Sequence, residues 1–308
     1  VEARISALFG DNGSVKASAR TEYDNLTRIM AGETVDGVSL TEAERNAMSS
    51  EAKDKLAEAK TGFETMDQAI EVLNGKISAL TDSYTSKEAV AGCHGEYESL
   101  VSTYGVTPEM VSEYQMLTER EAFQTQLDTE IVSVNEAIDA AGEWSYANKA
   151  AYEGLRARVD ALLSKDVPEA VLHIDTLSGL EAKTAEAEGA MNEFKAKVEA
   201  LPENPTAADL SAINEAETAY TALKAEYALS DEQVGAFVGT ETMQKLEHAK
   251  QAVEESLARI QAVEARISAL FGDNGSVKAS ARTEYDNLTR IMAGETVDGV
   301  SLTEAERN

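Results

Sequence analysis

The sequence has little of what a reactive or metal-holding site is usually built from. One cysteine, Cys93, stands alone among 308 residues, so no disulfide can close within the chain. The three histidines, His94, His173 and His248, lie far apart, with no His or Cys beside them at metal-ligand spacing. No Gly-rich phosphate loop and no Ser/His/Asp order occurs, and the many carboxylates fall on helix surfaces; no enzyme, cofactor or metal is expected. Basic residues are scarce, 27 against 56 acidic ones. The resulting charge of −29 disfavours nucleic acid and anionic membrane surfaces as partners. No apolar run approaches the roughly 18 residues that cross a bilayer, so no insertion is expected within this stretch. Four prolines, 6% aromatics and abundant Ala, Glu and Leu leave an all-α chain as the expected class. The 43% hydrophobic content is enough to pack cores.

What is present is repetition. Residues 1–46 return letter for letter as residues 263–308, offset by 262 positions. Identity over 46 residues needs recent copying, homogenisation of a tandem array, or deliberate joining. Val1 falls inside a heptad pattern, and Asn308 falls inside a run that continues in the first copy as Ala47-Met48. The chain is therefore expected to be a window of one period plus overlap from a longer repetitive protein.

A second, degenerate repeat lies beneath the first. Four segments share one apolar register: Ile70/Leu73/Ile77/Leu80, Ile131/Val134/Ile138/Ala141, Met191/Phe194/Val198/Leu201 and Ile260/Val263/Ile267/Leu270. Spacing of 3, 4 and 3 is an a/d seam, the face that a helix buries in a bundle. The last positions step by 61, 60 and 69 residues, and Leu8 to Leu80 adds 72, which together make the long offset. Each module also carries Tyr-x-x-Leu in its first helix: Tyr23/Leu26, Tyr97/Leu100, Tyr152/Leu155 and Tyr220/Leu223. A tyrosine ladder suits carbohydrate stacking, but at i, i+3, i+7 spacing core packing is the better reading.

The expected organisation is the end of a preceding helix at 1–8, then three-helix modules at 9–80, 81–141, 142–201 and 202–270. A restarted first module follows at 271–308. Within module one, Ser14 is expected to cap the first helix, and Thr41 with Glu44 has the spacing of a capping box. Ser49 or Ser50 opens the third helix on periodicity alone. Thr85 with Glu88 gives box spacing again, and Thr107-Pro108 and Val167-Pro168 start the short second helices of modules two and three. Ser178-Gly179 should break module three before its long helix, and Ser230 caps the second helix of module four.

Several features are weighed as sites and read as structure. Cys93-His94 is an adjacent pair on a helix, whose side chains diverge; Cys93 stands where the other modules place Ala19, Asn148 and Ala216, a small packing position. Asp11-Asn12-Gly13-Ser14 resembles a calcium loop in composition but lacks oxygen ligands at Gly13 and Val15. Asn12-Gly-Ser and Asn25-Leu-Thr match the glycosylation acceptor pattern.

The seams Ile131-x-x-Val134-x-x-x-Ile138 and Ile260-x-x-Val263-x-x-x-Ile267, with the Tyr-x-x-Leu helices, resemble the three-helix-bundle repeats of bacterial cell-surface proteins. The FIVAR-type modules and the repeats of giant staphylococcal matrix-binding proteins are the nearest kinds, and spectrin-like bundles share the spacing. The resemblance implies small bundles arranged end to end as an elongated rod, at the cell surface, with neighbouring copies of the repeat as partners. It implies a stalk, spacer or filament that projects a binding region. The alternatives are an adhesive repeat that binds host matrix, glycan or immunoglobulin by avidity, and an intracellular spectrin-like rod. The second copy lacks the long third helix of the first within these 308 residues, so its Tyr285/Leu288 face is expected to be uncovered.

Overall fold

The structure is a computed structural model that describes residues 1–273 and 275–307. Among these residues all regular structure is helical, and extended pairing is confined to isolated bridges such as Phe9 with Val15. The chain divides into two compact units, Val1–Ala140 with Leu155–Ile174, and Ala141–Gly154 with Asp175–Asn308.

The first unit holds α1 (Glu2–Ser6), α2 (Arg20–Met30), α3 (Glu42–Ala47), α4 (Ser50–Ser78), α5 (Lys87–Tyr104), α6 (Tyr114–Ala140) and most of α7 (Lys149–Leu163). The second holds the start of α7, then α8 (Ile174–Glu199), which begins at the boundary. It continues with α9 (Leu210–Tyr227), α10 (Asp231–Val238), α11 (Thr240–Ala269), α12 (Arg282–Met292) and α13 (Glu304–Arg307). One order recurs along the chain. A 3-10 turn leads into a medium helix, a short element follows, and a helix of 26–30 residues closes the series in α4, α6, α8 and α11.

Local chemistry explains most boundaries, and it corrects several expectations. Ser14 does not cap a helix: its N–H donates to Asn12 Oδ1 at 3.0 Å in a side-chain turn, and the 3-10 turn begins only at Ala17. Thr41 and Glu44 form the full capping box, as do Ser230 and Gln233. Ser49 caps α4, accepting from Ala52 N at 3.2 Å. The Thr85/Glu88 box does not form. Ser83 takes that place, accepting from Thr85 N at 3.2 Å and bonding Asp166 at 2.8 Å, and α5 begins at Lys87.

The proline-led elements of modules two and three are single 3-10 turns, Pro108–Met110 and Glu169–Val171, not α-helices. Extended, buried Val111 and Leu172 follow at once, so the chain turns inward before an α-helical turn can close. The expected break at Ser178-Gly179 is also absent, and α8 runs through it. A helical glycine costs about 1 kcal/mol. The flanking Leu177 and Leu180 are both buried, which is worth more.

In the first unit one continuous core runs from Ile5, Leu8, Val15 and Leu26 through Phe63, Met66, Leu73 and Ile77 of α4 to Val90, Tyr97, Leu100 and Leu117. The second unit has a core around Met191, Phe194, Val198, Leu223, Val234 and Val253. A smaller cluster of Val263, Leu270, Ala281, Leu288, Ile291, Val297 and Leu302 stands apart from it.

Candidate functional site

Of the expected core residues, Leu26, Leu73, Ile77, Tyr97, Leu100, Val134, Ile138, Tyr152, Leu155, Phe194, Val198, Leu223 and Val263 are buried. Tyr23, Ile70, Ile131, Tyr220 and Ile260 are half-buried at helix edges. Ile267 is not a core residue: it is 40% exposed, although its twin Ile5 is fully buried. That pair of identical residues with opposite burial marks where the two copies differ.

Both copies build the same local frame. Arg4 Nε reaches Glu22 Oε1 at 2.5 Å, and Arg266 Nε reaches Glu284 Oε1 at 2.5 Å. The hydrogen bond to the arginine holds each glutamate below the usual carboxylate range. Helices α2 and α12 span the same eleven residues, and the bridges Val35–Val38 and Val297–Val300 match.

In the first copy, α4 is seated on this frame. Phe63 stacks against Tyr23 with ring centroids 4.9 Å apart, and the Arg20 guanidinium lies 5.2 Å from the Phe63 centroid. Arg20 Nη1 donates to Asp67 Oδ2 at 2.6 Å. Gly62 faces Val15 so closely that a Cβ there would lie 2.8 Å from a Val15 methyl. The Glu2 carboxylate accepts from Ser49 N at 2.9 Å and from Ser49 Oγ at 2.8 Å, fixing the start of the helix. These bonds hold Glu2 below its ordinary value.

In the second copy the same apolar face is open. Phe271 is 44% exposed, Val277 66%, Tyr285 54% and Met292 45%, whereas Val15 is 1% exposed. Leu288, expected to share this exposure, is buried, because Val263, Leu270 and Ile291 of the same copy and its preceding helix close around it. The turn after α12 is kept: Arg307 lies against Gly294 as Arg45 lies against Gly32. Glu306 adds a tie that Glu44 lacks, accepting from Arg259 Nη2 at 2.7 Å and from the Ser256 hydroxyl. Burial of the carboxylate opposes ionisation most, yet the bonds from Ser256, Arg259 and Thr303 hold it at about 2.

Elsewhere the weighed sites are engaged in structure. Cys93 is buried, and burial raises its thiol above the ordinary value. His94 Nδ1 meets Glu121 Oε1 at 2.6 Å and His173 Nδ1 meets Asp139 Oδ1 at 2.8 Å, both as side-chain pairs. Among the described residues no group of three or more His, Cys, Asp or Glu is placed to hold a metal. Asn12 Nδ2 donates to Thr103 O at 3.0 Å, which ties the acceptor-pattern asparagine to the end of α5. Among the described residues no helix is long and apolar enough to cross a membrane.

Within the second unit, Gly142, Trp144, Tyr146, Lys183, Glu226 and Tyr227 line a cleft of about 610 Å³. Trp144 and Tyr227 meet edge-on at 6.1 Å, and Trp144 Nε1 donates to Thr184 Oγ1 at 3.0 Å.

Sequence reasoning overlooked Phe63 and Met66, the residues that seat α4. The signal was there: the seam Ile70/Leu73/Ile77 extends upstream in step as Phe63 and Met66. Compared with known proteins, the chain matches no family model, no curated protein and no solved structure.

Proposed function

We propose that this chain is a structural repeat, a stalk, spacer or filament segment of a long repetitive bacterial surface protein that projects a binding region from the cell. The observation that carries this reading is the 46-residue identity between the two copies, which fold alike around the Arg4–Glu22 and Arg266–Glu284 pairs. Repeats kept identical change in number, and so in reach, without disturbing a unique site elsewhere. In this reading the recurring helix order is a series of tandem three-helix bundles arranged end to end as a rod, with neighbouring copies of the repeat as the main partners.

At 1.5 Å rise per residue a 29-residue helix such as α4 is about 44 Å long, and four modules in series would span on the order of 150–200 Å. Small-angle scattering tests the rod: a maximum dimension near that span is expected, and a globular particle rules it out. A second reading, an adhesive repeat, is favoured by the Trp144/Tyr227 cleft, since aromatic walls suit glycan or peptide ligands. A matrix, glycan or immunoglobulin pull-down with the 308-residue chain separates the two. Saturable binding lost in Trp144→Ala favours adhesion; no binding favours the spacer.

A further inference from the structure

The open face of the second copy has a known fit, because the same residues are already covered once in this molecule. Five side chains define it: Ile267, Phe271, Val277, Tyr285 and Met292. Their twins Ile5, Phe9, Val15, Tyr23 and Met30 are buried or half-buried. What covers the first copy is α4, through Gly62 against Val15, Phe63 against Tyr23 and Asp67 on Arg20. No segment with that sequence follows the second copy within these 308 residues.

We infer that this face is a socket for a helix with the sequence of α4, Ser50–Ser78, supplied by another copy of the repeat. The inference deepens the repeat reading above, and rests on its premise that neighbouring copies are the partners.

The fit is specific in shape, charge and direction. In the first copy a Cβ at Gly62 would lie 2.8 Å from a Val15 methyl, so a helix seated the same way on the twin Val277 would disfavour a larger residue at that position. Tyr285 offers the ring that Phe63 stacks on in the first copy. Arg282, whose side chain is 82% exposed against 41% for Arg20, awaits the carboxylate that Asp67 provides to its twin. Exposed Glu264 stands where Glu2 fixes the N–H and hydroxyl of Ser49, which sets the direction of the incoming helix. The Arg307–Gly294 contact repeats the Arg45–Gly32 contact of the turn that leads toward α4 in the first copy.

The experiment uses the 308-residue chain and a peptide of residues 47–80. Hydrogen exchange is followed in both copies. Saturable one-to-one binding should raise protection across residues 277–292 by at least about tenfold and leave residues 15–30 unchanged. Val277→Asp in the chain, or Gly62→Leu in the peptide, should weaken binding at least about tenfold. Because a free helix is marginally stable, the chain is also extended after Asn308 with a second copy of residues 47–80. Protection at Tyr285 and Leu288 should then match that at Tyr23 and Leu26. An extended chain with no gain in protection overturns the socket, and so does a Gly62→Leu peptide that binds as well as the original. Neither result depends on whether the whole chain is a rod, which scattering decides separately.

Discussion

Residues 1–46 and 263–308 are one sequence in two settings, and the contrast isolates what tertiary company contributes. Backbone and short-range chemistry are the same in both: eleven-residue α2 and α12, the arginine–glutamate pair, the valine bridges. Burial is not. Val15 is sealed by Gly62 of α4, and Val277 stands in solvent. Local sequence thus writes the frame, while the long helix decides whether the frame becomes a core. Covering about half of each of five large apolar side chains is worth roughly 1 kcal/mol apiece. The two copies therefore differ in stability far more than their identity suggests.

Four changes break or sharpen this contrast. Phe63→Ala removes the ring that seats α4 and should cost about 4 kcal/mol, the usual loss for a fully buried phenylalanine. Denaturant unfolding read by hydrogen exchange should show the Leu26 amide losing protection while Leu288 is unaffected. Val15→Asp buries a carboxylate against Gly62 and should destabilise by about 3 kcal/mol. The matching Val277→Asp should change stability by less than about 0.5 kcal/mol; equal losses in thermal melts would mean the two faces are equally covered.

The third change runs the other way and weakens the second copy. Glu306 is held at about 2 from an ordinary 4.5, so its stabilisation is complete above about pH 4.5 and lost as pH falls toward 2. After allowance for solvent screening, it is on the order of 2 kcal/mol. Acid titration should loosen the second copy over that window, and Glu306→Gln should remove this part of the pH dependence. Arg259→Ala should reproduce part of the effect at neutral pH, since Ser256 and Thr303 still donate to the carboxylate. Smallest is Arg20→Ala, which loses an exposed pair with Asp67 and about 0.5 kcal/mol, while Arg282→Ala is neutral by the same melting measurement.

Much of the fold is legible in residue spacing. The seams that run through Leu73/Ile77, Val134/Ile138 and Phe194/Val198 are buried because a 3-4 pattern needs only a neighbouring helix of any kind. Thr41 with Glu44, and Ser230 with Gln233, announce their helices because both halves of the box sit in one turn. Ser49 carries no such partner nearby. Its companion is Glu2, 47 residues upstream, which spacing cannot reveal. Ile267 fails for the same reason on a larger scale, since its burial depends on a helix that the first copy has and the second does not. Pro108 and Pro168 are good starts, but a start does not fix length, and buried Val111 and Leu172 end those turns early. The open socket itself was legible as an expectation at Tyr285, and misjudged at Leu288, where residues of the same copy suffice.

Helix α4 serves two neighbours with its two halves. Its N-terminal half, from Ser49 to Asp67, is held by the first copy; its C-terminal half meets α5 through the Lys76–Glu96 pair and the segment before α6 through Asn74, which accepts from Glu113 N at 3.2 Å. Under tension along the chain such a helix acts as a lap joint, with load passing by shear between overlapping halves instead of through a linker. The element that yields would then be neither module alone. Pulling on the first unit should release the first copy and the α5 contacts in one step, because one helix carries the load of both.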